Sequence, residues 1–567
     1  MTGLSRCASP EYDDALAREY QALPETVLIG VRSDGSTNEM RIPASDTLIT
    51  DDESALVAFE SGVEARVSEA TSELDRASSE PAWAPFQGQV SYGTYTPQVL
   101  SVANRGYLYN YGNVSSFSIG GLSIFAYRRP PCSPLVCRTP GVGGGAAQGG
   151  PVGGVVGLSK FDKFLVGAFK KYRVYPVSDN EYFKGSNAKY ALGERLFNDT
   201  LLSSSKGVSC ASCHVTTQGT TIASSLSPTG FVLSGEKRGP FGPKDLLGRN
   251  PPALFNLGHA SFRTMFWDSR VAAAPNGING YITPAGLETP PGLDSALAAQ
   301  ALFPLATGTE MAGCAAYVNN TQQSRSYRDI WNEILARVLS KQEYQTMFAA
   351  AYPEFKGTGY GIQHLVNAIA AFEAVRWRAD HSPFDAYVRG DLTALTENQK
   401  RGAFYFYGKG GCGSCHSGPF QTDYQHHAVG VVQIGPGEGD GPVGWSDFGY
   451  GRVTRKKKDN YKFKTSPLRN IAHTGPWGHS GAYSTLFAFV DHYYDPVRRF
   501  DLWQTKEAIM PKGFEPTKEV LGAWFDPRSR YSIKRANVAK PNHLGIEEVK
   551  AIEDFLNSLT DKNSLRP

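Results

Sequence analysis

Four of the eight cysteines fall into two pentapeptides of one form, Cys210-Ala211-Ser212-Cys213-His214 and Cys412-Gly413-Ser414-Cys415-His416. Residues i and i+3 share a face of a helical turn, so each pair can present two thiols to one flat partner while the adjacent imidazole reaches its centre. A porphyrin fits that description, its two vinyl groups taking the thiols as thioethers and its iron taking the histidine. Zinc would want a second cysteine pair at matching distance, and a redox dithiol does not require histidine at the next position. Two covalently bound c-type haems are therefore expected, one on Cys210, Cys213 and His214, the other on Cys412, Cys415 and His416. Two strong protein ligands make an iron an electron carrier, whereas an open sixth position can bind peroxide or oxygen. The remaining histidines are His259, His364, His381, His426, His427, His473, His479, His492 and His543, and Met510 is the one methionine after the second motif.

The chain that positions these motifs has 567 residues, and a single hydrophobic core usually stops growing at roughly 250 to 300. Two or three domains are expected. Apolar residues make up 41% of the chain, with no run near the ~20 that a membrane-spanning helix needs. A net charge of +3 does not point to nucleic acid. The run Arg455-Lys456-Lys457-Lys458 reads as a solvated loop, with a docking patch for an acidic redox partner as the alternative. Apolar residues at three- and four-residue spacing predict helices in Arg328 to Ala351, Gly361 to Arg378 and Gly545 to Leu559. Alternation predicts strands between Gln87 and Tyr127, and Gly141 to Gly157 reads as a linker. Long Gly/Pro loops are expected at Ala274 to Gly292 and Gly430 to Gly451. The expected architecture is mainly α: two cytochrome-c-like helical haem domains with long loops, 156–378 and 379–567, preceded by a partly β extension over 1–155. Thioether attachment takes place outside the cytoplasm, where disulfides also persist, so Cys132 and Cys137 could close a small loop. Met1 to Leu23 lacks a basic start followed by an apolar stretch, so the sequence is expected to be a processed or recombinant form of an exported, periplasmic protein.

Short motifs flank both haem sites. Gly193-Glu194-Arg195-Leu196-Phe197-Asn198-Asp199 precedes the first, and Arg249-Asn250-Pro251-Pro252, Phe266-Trp267-Asp268-Ser269-Arg270, Gln300, Pro304 and Glu310-Met311 follow it. Ser382-Pro383-Phe384-Asp385, Gly390-Asp391 and Gly408-Lys409-Gly410-Gly411 precede the second, with Leu468-Arg469-Asn470 and Pro476-Trp477-Gly478-His479-Ser480-Gly481 after it. In this order, from about Tyr190 to Thr560, the chain resembles the bacterial dihaem cytochrome c peroxidase family, which includes MauG, the maturation enzyme of methylamine dehydrogenase. Residues 1–155 and the insertion between Arg270 and Ala296 fall outside the resemblance.

The resemblance implies that the His214 haem is the peroxidatic centre, with Gln300, Pro304 and Glu310 on its distal face. A carboxylate there can take a proton from hydrogen peroxide and return it to the departing oxygen, and Glu310 is the candidate. Trp267 would carry electrons between the haems. A calcium ion would lie between the haem domains, held by the Asn250 side chain and the Thr474 and Pro476 carbonyls, oxygen ligands that suit a hard cation. Two departures bear on the chemistry. Family peroxidases usually place a histidine after the first haem motif, and Val215 to Asn250 contains none. Where they offer methionine to the second iron, Val490-Asp491-His492-Tyr493-Tyr494 puts Tyr493 in register, as MauG uses tyrosine; a phenolate favours the ferric state. His492, His543 and Met510 are the rival ligands.

The expected function is reduction of hydrogen peroxide to water, with electrons from a small donor protein, a cytochrome c or a cupredoxin. A MauG-like oxidation of a partner protein or organic molecule is the first alternative, and a non-enzymatic electron carrier the second. A homodimer is compatible with either enzymatic reading.

Overall fold

The computed structural model describes residues 158–566 apart from 184, 237–240 and 318–323, together with the backbone of four strands nearer the N-terminus. Those strands, β1 (Thr26–Val31), β2 (Thr37–Ile42), β3 (Val114–Ile119) and β4 (Leu122–Tyr127), pair as two antiparallel ribbons, β1 with β2 and β3 with β4. Of the strands expected between Gln87 and Tyr127, β3 and β4 fall within the described residues. Cys7, Cys132, Cys137 and the Gly141 to Gly157 segment lie outside them. The chain separates into two compact units, Tyr12–Gly154 and a larger one containing Val155–Pro567.

The larger unit carries both haem motifs and is mainly helical. Its principal helices are α1 (Lys160–Tyr172), α2 (Asn187–Asn198), α3 (Cys210–Cys213), α4 (Ala296–Ala301), α5 (Tyr327–Leu339), α6 (Gln342–Ala351), α7 (Ile362–Arg376), α8 (Glu397–Tyr407), α9 (Leu486–His492) and α10 (Ile546–Asn557). The helical periodicity at Arg328 to Ala351 resolves into α5 and α6, and the other two predicted segments become α7 and α10. Among the described residues no helix is long and apolar enough to cross a membrane.

One packing device occurs twice. A Cβ placed on Gly193 of α2 would stand 1.9 Å from the Ala368 carbonyl oxygen of α7, and one on Gly402 of α8 would stand 1.8 Å from the Ala551 oxygen of α10. Each glycine lets two helix backbones touch, and four residues later each helix presents a phenylalanine to a haem-motif histidine. The Phe197 ring lies 6.5 Å from that of His214, and the Phe406 ring 6.2 Å from that of His416. Around the first crossing Leu192, Leu196, Phe197, Leu365, Ile369 and Trp377 form one apolar cluster; around the second, Phe406, Tyr407, Ile552 and Phe555 form another. Although α1 precedes the first haem motif, Leu165 and Ala168 bury in the second cluster, so the chain begins this unit on the far half and then crosses over.

The segment expected as a loop at Ala274 to Gly292 is in part a sheet. Strands β5 (Thr264–Met265), β6 (Val271–Ile278) and β7 (Tyr281–Ile282) lie in that order, and Ile278 pairs with Tyr281 across Asn279-Gly280, both at positive φ. Asn-Gly is the preferred pair for a two-residue hairpin turn, so the signal was present beneath the Gly/Pro composition. Of the loop expected at Gly430 to Gly451, Gly430 to Gly449 forms no regular element, while Tyr450 and Gly451 open a short helix over Tyr450–Thr454. The last pair, β8 (His426–His427) with β9 (Phe463–Lys464), closes that loop at its base.

Candidate haem and metal sites

Each Cys-x-x-Cys-His motif occupies a single helical turn: Cys210–Cys213 is α3, and Cys412–Ser414 is a 3-10 turn. All four thiols are free and partly buried. Burial pushes the Cys213 and Cys412 thiols up to about 12, so they persist as neutral thiols, the form that adds to a vinyl group without a buried charge. His214 Nδ1 lies 2.9 Å from the Thr220 carbonyl oxygen and His416 Nδ1 lies 2.9 Å from that of Gln421. A carbonyl can only accept, so Nδ1 carries the proton in both rings and Nε2 keeps a lone pair for a metal. Burial lowers both imidazoles, His214 to about 4, which keeps them neutral. These donor sets fit two c-type haems.

Gln300, Pro304 and Glu310 lie along one short stretch of chain, and Glu310 lies near the first motif. Gln300 sits in α4, the Met311 amide donates to the Pro304 carbonyl at 3.2 Å, and the Glu310 amide donates to Thr307 at 3.1 Å within a π-turn over Gly308–Ala312. Gly230 permits this turn to close in, since a Cβ there would be 1.7 Å from the Glu310 carbonyl oxygen. Burial raises the Glu310 carboxyl, Arg270 opposes the shift, and Glu438 adds to it by repulsion. The charge of Glu310 in turn raises the Cys213 thiol, which places the carboxyl within electrostatic reach of the first haem motif.

Trp267 joins the two halves. Its indole N–H donates to the Asn250 carbonyl at 2.8 Å, and its own carbonyl accepts from the Lys464 amide at 2.9 Å. Asn250 is buried and its Oδ1 has no hydrogen-bond partner, while its Nδ2 donates to the Ser224 carbonyl at 3.1 Å. A buried carbonyl-type oxygen left unpaired is costly unless a cation or water meets it. The turn holding Thr474 and Pro476 approaches the same region: a Cβ on Gly219 would stand 2.1 Å from the His473 oxygen, and a Cβ on Gly481 would be 2.5 Å from Asn250 Nδ2. The unpaired Asn250 Oδ1 is the kind of hard oxygen donor that calcium takes.

At the second motif the four candidate ligands separate. Tyr493 follows α9, is partly buried, and has its phenol raised by burial and then by Cys412 and Cys415, so it faces that haem motif. His492 has both ring nitrogens engaged, Nδ1 with the Tyr483 hydroxyl at 2.9 Å and Nε2 with the Val429 carbonyl at 2.8 Å. His543 is exposed, and Met510 packs against a third apolar cluster built on Trp503, Val520 and Trp524. The Arg455 to Lys458 run is an exposed turn.

Charged residues of the motifs that flank the haem sites act over long range in the chain. Arg249 donates from Nε and Nη2 to both oxygens of Asp447 at 2.6 and 2.8 Å and from Nη1 to Asp268 at 2.7 Å, all three residues being buried. Arg469 pairs with Asp385 at 2.8 Å and donates to the Pro419 carbonyl three residues past His416. Glu373 and Glu438 carried no signal at all. Glu373 on α7 is buried with Oε2 unpartnered, and burial raises it to about 8.

A model of the di-haem cytochrome c peroxidase family matches residues 187–393. The cytochrome c551 peroxidase of Pseudomonas aeruginosa is 32% identical over 297 residues, covering 52% of this chain and 68% of that protein. Cytochrome c peroxidase Ccp of Escherichia coli is 30% identical over 299 residues, covering 53% and 51%, and MauG of Methylorubrum extorquens is 28% identical over 306 residues, covering 54% and 68%. The chain therefore spans half the length of the E. coli relative and two thirds of the other two. Among solved structures, a MauG-like protein associated with microbial copper homeostasis aligns with a TM-score of 0.47 at 23% identity, over 69% of this chain and 94% of that one. The chain belongs to the di-haem cytochrome c peroxidase family, a family of oxidoreductases.

Proposed function

We propose that this chain is an exported dihaem peroxidase that reduces hydrogen peroxide to water with electrons from a small cytochrome c or cupredoxin. The observation that carries the reading is Glu310: a carboxyl raised by burial, on a turn within electrostatic reach of Cys213. When bound on Cys210, Cys213 and His214, the first haem supplies the iron at which peroxide is cleaved, and the one on Cys412, Cys415 and His416 supplies electrons. Glu310 takes the proton from the near oxygen of peroxide and delivers it to the far one, which leaves as water. Gln300 orients peroxide by hydrogen bonding without exchanging a proton. Trp267, tied by its indole to Asn250 and by its backbone to Lys464, stands on the route between the halves. Asn250, Thr474 and Pro476 would hold calcium at the same junction, and Tyr493 would be the sixth ligand of the second iron.

The observation favouring a MauG-like oxidation is the pair of departures, Tyr493 facing the second motif and no histidine between Val215 and Asn250. Steady-state peroxide consumption with a reduced donor cytochrome separates the two readings. A positioned acid-base side chain contributes ~10² to 10⁴-fold, so Glu310→Gln should lose about that factor in peroxide turnover with both haems and their resting spectrum intact. Turnover at the wild-type rate would remove Glu310 from the mechanism.

A further inference from the structure

Just past α7, where the chain leaves the first half for the second, stands a group of ionisable side chains that peroxide reduction does not use. Asp380 is buried, and its Oδ2 accepts from Arg378 Nε at 2.9 Å and Nη2 at 2.5 Å. Its Oδ1 is buried too and accepts no hydrogen bond, although His381 Nδ1 stands 2.8 Å away. Asp561, from near the C-terminus, is buried and brings its Oδ2 to 3.9 Å from the same nitrogen. The Asp380 and His381 amides donate to that oxygen at 3.1 and 2.9 Å, and the Asn563 amide donates to Asp561 Oδ1 at 2.9 Å. Asn470 Oδ1 anchors the backbone, accepting from the Asp561 amide at 2.7 Å. The fold therefore fixes both carboxylates in advance, whereas the imidazole, 66% exposed, is free to turn toward a ligand.

We propose that Asp380, His381 and Asp561 bind one divalent transition-metal ion of the zinc type, which pins the C-terminal segment to the crossing between the halves. One ligand atom from each residue lies within 4.8 Å of the other two. A buried carboxylate oxygen without a hydrogen bond is costly unless a cation or water meets it. Zinc takes nitrogen and oxygen ligands at ~2.0 to 2.2 Å, so one ion fits between His381 Nδ1 and Asp380 Oδ1 at 2.8 Å, and the 3.9 Å to Asp561 is also within its span. The surrounding charge agrees. Asp179, Asp380 and Asp561 outnumber the two guanidiniums beside them: Arg378 donates to Asp179 and Asp380, and Arg389 donates to the Asp380 carbonyl at 2.8 Å. The imidazole selects the class of ion, because calcium and magnesium take oxygen ligands while zinc and its neighbours take nitrogen with oxygen. The site is independent of the peroxidase reading and of the calcium assigned to Asn250.

The test is equilibrium dialysis of the holoprotein against zinc chloride, after a chelator has removed loosely held metal and calcium has been restored, with zinc counted per two haem irons. One zinc per chain is expected. His381→Ala removes an exposed side chain, so it should fold with both haems and bind zinc roughly tenfold or more weakly. Asp380→Asn should weaken binding as well. His427→Ala, which breaks the 2.8 Å pair with Asp423 near the second haem motif, should bind as wild type does. Zinc should raise the melting temperature of wild type and leave that of His381→Ala unmoved, since an ion that binds only the folded chain stabilises it. A wild-type holoprotein that retains no zinc overturns the site and leaves His381 and Asp380 as an ion pair. Equal zinc binding by wild type and His381→Ala overturns it too, as does an equal loss in His427→Ala.

Discussion

Arg249→Met tests the buried ion network that joins the two halves. The arginine makes three hydrogen bonds of 2.8 Å or less to two carboxylates, Asp447 and Asp268, both below 5% exposed. Methionine keeps most of the stem volume, so the loss is electrostatic rather than a cavity. Asp268 would retain Arg270 at 3.2 Å, which leaves Asp447 as the uncompensated charge, its other partner being the Gly449 amide at 2.7 Å. Removing one partner of a buried pair costs about 3 to 5 kcal/mol, and the surviving amide bond favours the lower end. Chemical denaturation at pH 7, followed by far-UV circular dichroism, reads the difference directly. The pH dependence has a definite sign. The arginine holds Asp447 below its usual value, to about 2, so in wild type its contribution is present above about pH 4 and is lost as pH falls toward 2. In the variant Asp447 protonates at higher pH, so the gap between the two proteins should narrow between pH 7 and pH 4.5. A loss under 1 kcal/mol, or one of equal size at both pH values, would refute the reasoning.

Tyr493→Phe should leave two covalent haems in place and change the absorption spectrum and reduction potential of the second; an unchanged spectrum returns the ligand role to Met510 or His543. Asn250→Ala, or treatment with a calcium chelator, should slow electron transfer between the haems while haem content stays constant, and equal rates with and without chelator would reject the calcium site. Glu373→Gln should alter the pH dependence of stability. The folded-state value of about 8 lies above the ordinary 4.5, so the acid favours folding below pH 4.5 and loses that advantage as pH rises toward 8. By pH 7 the cost is about 3 kcal/mol, from 2.5 pH units at about 1.36 kcal/mol each, and the variant should be relieved of it; parallel stability curves from pH 5 to 8 would show that Glu373 is ionised or solvated.

Local chemistry was legible in the amino-acid order. Thioether attachment needs two thiols one helical turn apart with histidine next, so the haem motifs declare themselves within five residues, and the helices declare themselves within 10 to 15 by their apolar spacing. The family resemblance could name Gln300, Pro304 and Glu310 together because they lie in one short segment. The Asn279-Gly280 hairpin was legible too, and was hidden only by the surrounding glycines and prolines. What the sequence could not show were the groups whose partners come from far along the chain. Arg249 meets Asp447 across 198 residues, and Trp267 is held by Asn250 on one side and Lys464 on the other. His492 and Tyr493 are neighbours in sequence, yet hydrogen bonds with the Tyr483 hydroxyl and to the Val429 carbonyl tie up both nitrogens of one while the phenol of the other faces Cys412. Burial raises the carboxyls of Glu310, Glu373 and Glu438, and burial belongs to the packed chain: desolvation depends on every element that closes over a carboxyl, and no local pattern of residues records it.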